Sequence, residues 1–128
     1  MPLVKQGKFK EYYKKCEKIK KKVKKCHNYY FDKDGYYTYD ISYSDFFTDI
    51  NNVYKKAVSM KSKLKTLMDV SEQKTDKSIR RCEMYIDIME DVIDSCKQDL
   101  NDVYSLYKNN LTDRERETLK MCEIYKEI

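Results

Sequence analysis

Three runs of apolar side chains repeat at alternating steps of three and four residues, a spacing that confines the chain to helices which each bury one stripe. The first run is Phe9, Tyr12, Cys16, Ile19, Val23, Cys26 and Tyr30, and the second is Phe46, Ile50, Val53, Ala57, Met60, Leu64 and Leu67. The third is the longest: Ile79, Cys82, Ile86, Met89, Ile93, Cys96, Leu100, Val103 and Tyr107, widened by Tyr85, Val92, Tyr104 and Leu106. Ser42 and Asp45 stand in capping-box spacing before the second run. Thr112 and Glu115 do the same before a short fourth helix whose single face would carry Leu119, Cys122, Tyr125 and Ile128. The connectors, Asp32 to Ile41, Asp69 to Asp76 and Asn109 to Thr112, are short enough to make successive helices antiparallel neighbours.

The expected fold is therefore all-α, one domain over residues 1–128: an elongated, up-down-up-down antiparallel bundle of three long helices plus one short C-terminal helix. Composition agrees. Two glycines (Gly7, Gly35), a single proline (Pro2) and no tryptophan leave too few turn-formers for a sandwich, a barrel or a doubly wound sheet. The same scarcity rules out a glycine-rich phosphate loop, and a lone histidine, His27, cannot build a multi-histidine metal site.

The five cysteines, Cys16, Cys26, Cys82, Cys96 and Cys122, form no CxxC pair. The expectation is that they staple the bundle in an oxidising compartment, with one thiol left over; the alternative is that all five are reduced and serve as small core residues. In the stapled case, parallel first and third helices favour Cys16 with Cys82, and Cys122 with Cys26 or Cys96. Stapling carries an expectation of secretion, with a cytoplasmic home as the alternative. No hydrophobic leader follows Met1, so a secreted chain would be present in its mature form, and Asn110-Leu111-Thr112 would then be a usable glycosylation sequon.

Charge is unevenly spread. Residues 1–31 hold eleven lysines against Glu11 and Glu17, which leaves about −4 for the rest of a chain whose net charge is +5. Between Glu83 and Asp102 seven carboxylates face Lys97 alone. Two helices of opposite sign lying together would explain this, as would a dedicated basic face, with Lys20, Lys21 and Lys24 as its candidates, directed at nucleic acid or anionic membrane. None of the four arginines (Arg80, Arg81, Arg114, Arg116) lies in the basic helix, which argues against reading of bases there.

Catalytic constellations fail on spacing. Asp32-Lys33-Asp34-Gly35 begins like a calcium loop, but aligning Gly35 with the loop glycine puts Tyr30 and Ile41 where carboxylates are required. Cys26 and His27 are adjacent on a helix and point about 100° apart, too far for a thiol–imidazole pair. Glu83, Asp87 and Asp91, like Glu90 and Asp94, are spaced for a bundle metal site, yet the Glu-x-x-His partners are missing. The expectation is a protein without enzymatic activity and without a cofactor.

The densest local feature is aromatic: Tyr29, Tyr30, Phe31, Tyr36, Tyr37, Tyr39, Tyr43, Phe46 and Phe47 crowd nine rings into nineteen residues around the first connector. Tyr36, Tyr37, Tyr39 and Tyr43 are candidates for a protein-binding surface, or else the connector folds over the bundle end and caps the core. The small lysine-, tyrosine- and aspartate-rich helical composition resembles secreted effectors of parasites and sap-feeding insects. The ordered Cys82, Tyr85 and Cys96 are similar to the cysteine-tyrosine-cysteine triplets of aphid bicycle-type salivary proteins. That resemblance implies delivery into a host and action by binding a host protein partner, without catalysis.

Overall fold

A computed structural model describes residues 6–38, 40–70 and 75–128. Three long helices, α1 (Gln6–Tyr30), α2 (Tyr43–Val70) and α3 (Asp76–Tyr107), are followed by a 3₁₀ turn (Lys108–Asn110), the short α4 (Asp113–Lys120) and a second 3₁₀ turn (Glu123–Glu127). At 1.5 Å per residue the 32-residue α3 runs unbroken for about 48 Å. Ring and side-chain contacts fix the directions. Tyr13 stacks on Tyr85 at 4.3 Å near the starts of α1 and α3, whereas the Cys82 thiol at the start of α3 meets Leu64 near the end of α2. Helices α1 and α3 therefore run parallel, with α2 antiparallel to both.

All seven positions of the second run are buried, as are Cys82, Ile86, Met89, Ile93, Cys96, Leu100 and Val103 of the third. In α1 the stripe is narrower: Phe9, Cys16, Ile19 and Tyr30 are buried, Tyr12, Val23 and Cys26 lie at its edge, and Tyr13 joins it through the stack on Tyr85. Local chemistry sets the ends. Thr75 and Ser78 form a reciprocal capping box at the start of α3, and Thr112 and Glu115 form one at the start of α4, each satisfying helix N–H groups that have no intrahelical acceptor. At the start of α2, Ser42 Oγ accepts from the Ser44 N–H rather than from Asp45. The Tyr43 N–H is taken by Glu115 at 3.2 Å, so one carboxylate caps two helices.

The bundle is not the symmetric four-helix arrangement. Among the described residues the fourth helix packs on α2 and not on α1, and the C-terminal 3₁₀ turn lies against α2 and α3. Its expected continuous face also breaks. The Cys122 N–H bonds back to the Leu119 carbonyl at 3.0 Å, and the Ile124 N–H is captured by the Asn51 side chain at 3.0 Å. This rotation buries Ile124 in place of Ile128, which is 42% exposed.

Disulfide stapling is corrected by the structure: all five cysteines are free thiols. Four are buried and Cys26 is half-buried. Each is accommodated as a small apolar residue with a weak donor. The Cys122 Sγ donates to the carbonyls of Thr118 (3.2 Å) and Phe47 (3.5 Å), and Cys82 donates to Leu64 (3.7 Å). Burial pushes every one of these thiols up, Cys16 to about 11 and Cys26 and Cys96 to about 12, so none is a thiolate at neutral pH.

Candidate anion-binding groove between two lysine-bearing helices

The first connector divides the tyrosine candidates. Past the end of α1, the Asp32 carboxylate accepts the N–H groups of Asp34 and Tyr36, and Gly35 adopts φ +84°, a left-handed conformation that suits glycine. The turn returns Tyr37 opposite Phe31 in a single antiparallel bridge. Tyr37 is thereby driven inward: it is 3% exposed, and its hydroxyl donates to the carbonyls of Ile41 (2.9 Å) and Ser42 (3.2 Å). As a member of a contact surface Tyr37 is corrected to a core residue. Tyr43 is half-buried in a stack with Tyr37 and Tyr107, Tyr36 stands 65% exposed, and Tyr39 lies outside the described residues. Tyr37→Phe is expected to cost about 1 kcal/mol in urea unfolding by stripping two carbonyls of their donor, while Tyr36→Ala stays within about 0.5 kcal/mol.

At the α1/α3 seam His27 Nδ1 meets Asp99 Oδ2 at 2.9 Å, and the imidazole stacks on Phe31 at 4.7 Å. Asp99 is the one polar or charged residue buried among the described residues, at 8% exposure. Burial raises its carboxyl above the ordinary range, and the contact with His27 works in the opposite direction. The imidazole is thus committed to a carboxylate on another helix and not to the neighbouring Cys26. That thiol is raised by burial and then by the charges of Asp49 and Asp99. Among the described residues no group of three or more histidine, cysteine or acidic side chains converges as metal ligands.

The basic and acidic helices touch, yet their charges do not neutralise each other. Among the described residues no lysine of α1 is ion-paired with α3. Lys15 pairs within its own helix with Glu11 (3.3 Å); besides the His27–Asp99 contact, the acidic run is met by a lysine of α2, Lys61, which pairs with Glu90 at 3.1 Å. The α1 lysines converge instead on lysines of α2. A cleft of about 360 Å³ between the two helices is lined by Lys15, Lys18, Lys22, Lys55, Lys56 and Lys63, with Ile19, Met60 and Ser59 between them. The apolar residues Ile19 and Met60 belong to the two buried stripes, so the stripes' meeting edge forms the floor and the flanking lysines form the rims.

Spacing explains the convergence. Lys15, Lys18 and Lys22 recur at three and four residues beside Ile19, and Lys56 and Lys63 flank Met60 one turn to either side, so each helix turns one row of ammonium groups toward the other. Lys22 and Lys56 come together. The Lys22 ammonium is held below the ordinary lysine range, first by its hydrogen-bonding contact with Lys56 and then by that neighbour's charge. Lys55 is paired with Glu123 at 3.8 Å, but among the described residues Lys18, Lys22, Lys56 and Lys63 have no carboxylate within ion-pair distance. The lysines singled out from the sequence, Lys20, Lys21 and Lys24, are exposed but do not line this cleft. Lys24 lies on the other side of α1, in a depression with Val23, His27, Ser95, Gln98 and Asp99. No protein family, no curated protein and no solved structure matches the chain.

Proposed function

We propose that the protein is a non-catalytic binding module that takes an anionic partner in the cleft between α1 and α2. The observation that carries this reading is a single cleft lined by six lysines, four of which, Lys18, Lys22, Lys56 and Lys63, have no carboxylate within ion-pair distance among the described residues. Like charges brought together on two packed helices oppose the packing, and an anion seated between them relieves that opposition. The four unpaired ammonium groups also attract anions at long range, so the association is fast at low salt and weakens as salt screens it.

The test separates the cleft from net charge. With a fluorescent polyanion such as heparin as the probe, the double reversal Lys22→Glu/Lys56→Glu is expected to weaken binding by roughly tenfold or more, as lost charge contacts do. The matched double reversal Lys20→Glu/Lys21→Glu changes the net charge equally on the same helix but outside the cleft. Its loss should stay within about threefold. Equal losses in both variants would reduce the effect to overall charge and remove the site.

A second reading, docking of a protein partner on the bundle end as in the effector resemblance, is favoured by Tyr29 and Tyr36, which are 63% and 65% exposed on either side of the Asp32 turn. Alanine at both positions removes no buried side chain. Loss of partner capture in that variant, with the lysine variants unaffected, would promote this reading over the first.

A further inference from the structure

The cleft also specifies what kind of anion fits, an inference that rests on the reading above. Helices α1 and α2 are antiparallel, and Lys22 stands beside Lys56. Moving down α1 from Lys22 to Lys15 and up the sequence of α2 from Lys56 to Lys63 travels in the same direction in space, by seven residues on each helix. At 1.5 Å per residue this is about 10 Å. The lysines therefore sort into two groups, Lys22 with Lys55 and Lys56 at one end and Lys15 with Lys18 and Lys63 at the other, and Ile19 and Met60 floor the gap between them.

Three features of this arrangement discriminate among anions. First, ammonium groups that meet at one point are best neutralised by an oxyanion of more than single charge. A phosphomonoester carries about −1.5 to −2 near neutral pH, whereas a phosphodiester or a carboxylate carries one charge. Second, the lining has no aromatic ring and no arginine, so it offers neither the stacking platform that holds single-stranded bases nor the fork that reads base edges. Third, the cleft is an open groove of about 360 Å³, two lysine groups long, which matches the scale of a small-molecule ligand.

We propose that the cleft binds a compact ligand bearing at least two phosphomonoester groups on a small apolar-faced ring, one phosphate held at each lysine group. The ligand chemistry is that of a polyphosphorylated cyclitol, free in solution or as the headgroup of a phosphoinositide.

Isothermal titration of the full chain tests this with three charge-matched probes: inositol hexakisphosphate, a single-stranded oligonucleotide and an oligoglutamate peptide. The expected result is at least about tenfold tighter binding of the hexakisphosphate than of the other two, a preference lost in Lys22→Met/Lys56→Met, which removes both charges without adding repulsion. Circular dichroism confirms that this variant keeps its helices. Equal affinity for all three probes would overturn the phosphomonoester assignment while leaving the anion cleft standing, provided the Met variant weakens all of them. Absence of binding by any probe, or binding indifferent to the Met variant, would overturn the cleft itself. Phosphatidylcholine vesicles carrying phosphatidylinositol bisphosphate separate the sources. Vesicle binding displaced by free hexakisphosphate supports a headgroup, hexakisphosphate binding without vesicle binding supports a soluble ligand, and equal binding to phosphatidylserine vesicles of the same charge overturns the assignment.

Discussion

Phe46→Ala is expected to cost about 4 kcal/mol of folding stability, the largest loss of any single truncation at the connector end of the bundle. Phe46 is 0% exposed and lies at the centre of a ring cluster drawn from three parts of the chain. Tyr30 from α1 meets it edge-on at 5.1 Å, Phe31 and Tyr37 from the connector stand at 5.9 and 5.6 Å, and Phe47 from its own helix at 5.9 Å. Removing the ring forfeits its transfer from water and leaves a cavity whose walls are themselves stiff rings, which collapse poorly into the space. Two of those walls are held by hydroxyls as well. Tyr37 is tied to the Ile41 and Ser42 carbonyls, and Tyr30 donates to the Asp49 carboxylate. Phe46→Leu keeps most of the volume and should cost under about 1.5 kcal/mol. Urea unfolding decides the matter: a midpoint shift with unchanged slope measures the loss, and a cost for Phe46→Ala no greater than that for Phe46→Leu would mean that the rings do not close around this position.

The same cluster shows where sequence reasoning succeeds and where it stops. The helices were legible because a buried stripe must recur every three or four residues whatever lies opposite it, and the rule holds at every position read from the second run and at seven of the nine read from the third, whose expected widening at Leu106 fails because that side chain is exposed. Tyr13 was not distinguishable from Tyr12, since both fit the step from Phe9. The choice is made by Tyr85 on another helix and by Arg81, which lies 4.9 Å over the Tyr13 ring. The aromatic connector was conspicuous, but alternation within Tyr36 and Tyr37 is settled by the Asp32 turn and the Phe31 bridge, so one ring faces solvent and its neighbour faces the core. The C-terminal face misled for a local reason: the helix ends at Lys120, and one intervening turn of different pitch exchanges Ile128 for Ile124.

The cleft lay beyond periodicity altogether. A lysine-rich helix announces a basic surface, but which of its lysines meet other lysines depends on the register of α1 against α2. Lys20, Lys21 and Lys24 differ from Lys15, Lys18 and Lys22 only by their direction around the helix. Cysteines pose the same difficulty in another form. A stapling cysteine and a core cysteine both occupy the buried stripe, and the distinction lies in how the sulfurs are partnered across helices. Here all five are free thiols, Cys82 and Cys122 donating to backbone carbonyls, which withdraws the disulfide argument on which the expectation of secretion rested.

Alkaline unfolding follows from those thiols. Burial holds Cys16 near 11 and Cys96 near 12 in the folded chain, against an ordinary value of 9.0, and Tyr13 near 12 against 10.0. A group raised in this way contributes stability that is fully present below its unfolded value and is lost as pH rises through the folded one, because the unfolded chain releases the proton first. By about pH 10.5, Cys16 and Cys96, both without solvent exposure, each withdraw on the order of 2 kcal/mol, and the half-buried Cys26 and the tyrosines add to this. Against a total stability of roughly 5–15 kcal/mol for a domain of this kind, the fold is expected to hold at about pH 9 and to melt between roughly pH 10 and 11. Far-UV circular dichroism follows the transition. Cys96→Ala supplies the control: it costs about 1 kcal/mol at neutral pH for the lost sulfur, but it removes one titrating group, so its disadvantage shrinks and then reverses as pH rises. A gap between variant and parent that is the same at neutral and at alkaline pH would exclude the thiols as the cause. Alkylation reads the same chemistry from the other side, since a thiol raised by three pH units presents about a thousandfold less thiolate at pH 8 and reacts correspondingly slowly until the chain unfolds. Five alkylated cysteines after unfolding without reductant, and slow modification before it, would place all of the sulfurs in the core as thiols; fewer than five would mean that bridges form after all and that the alkaline transition belongs to the tyrosines.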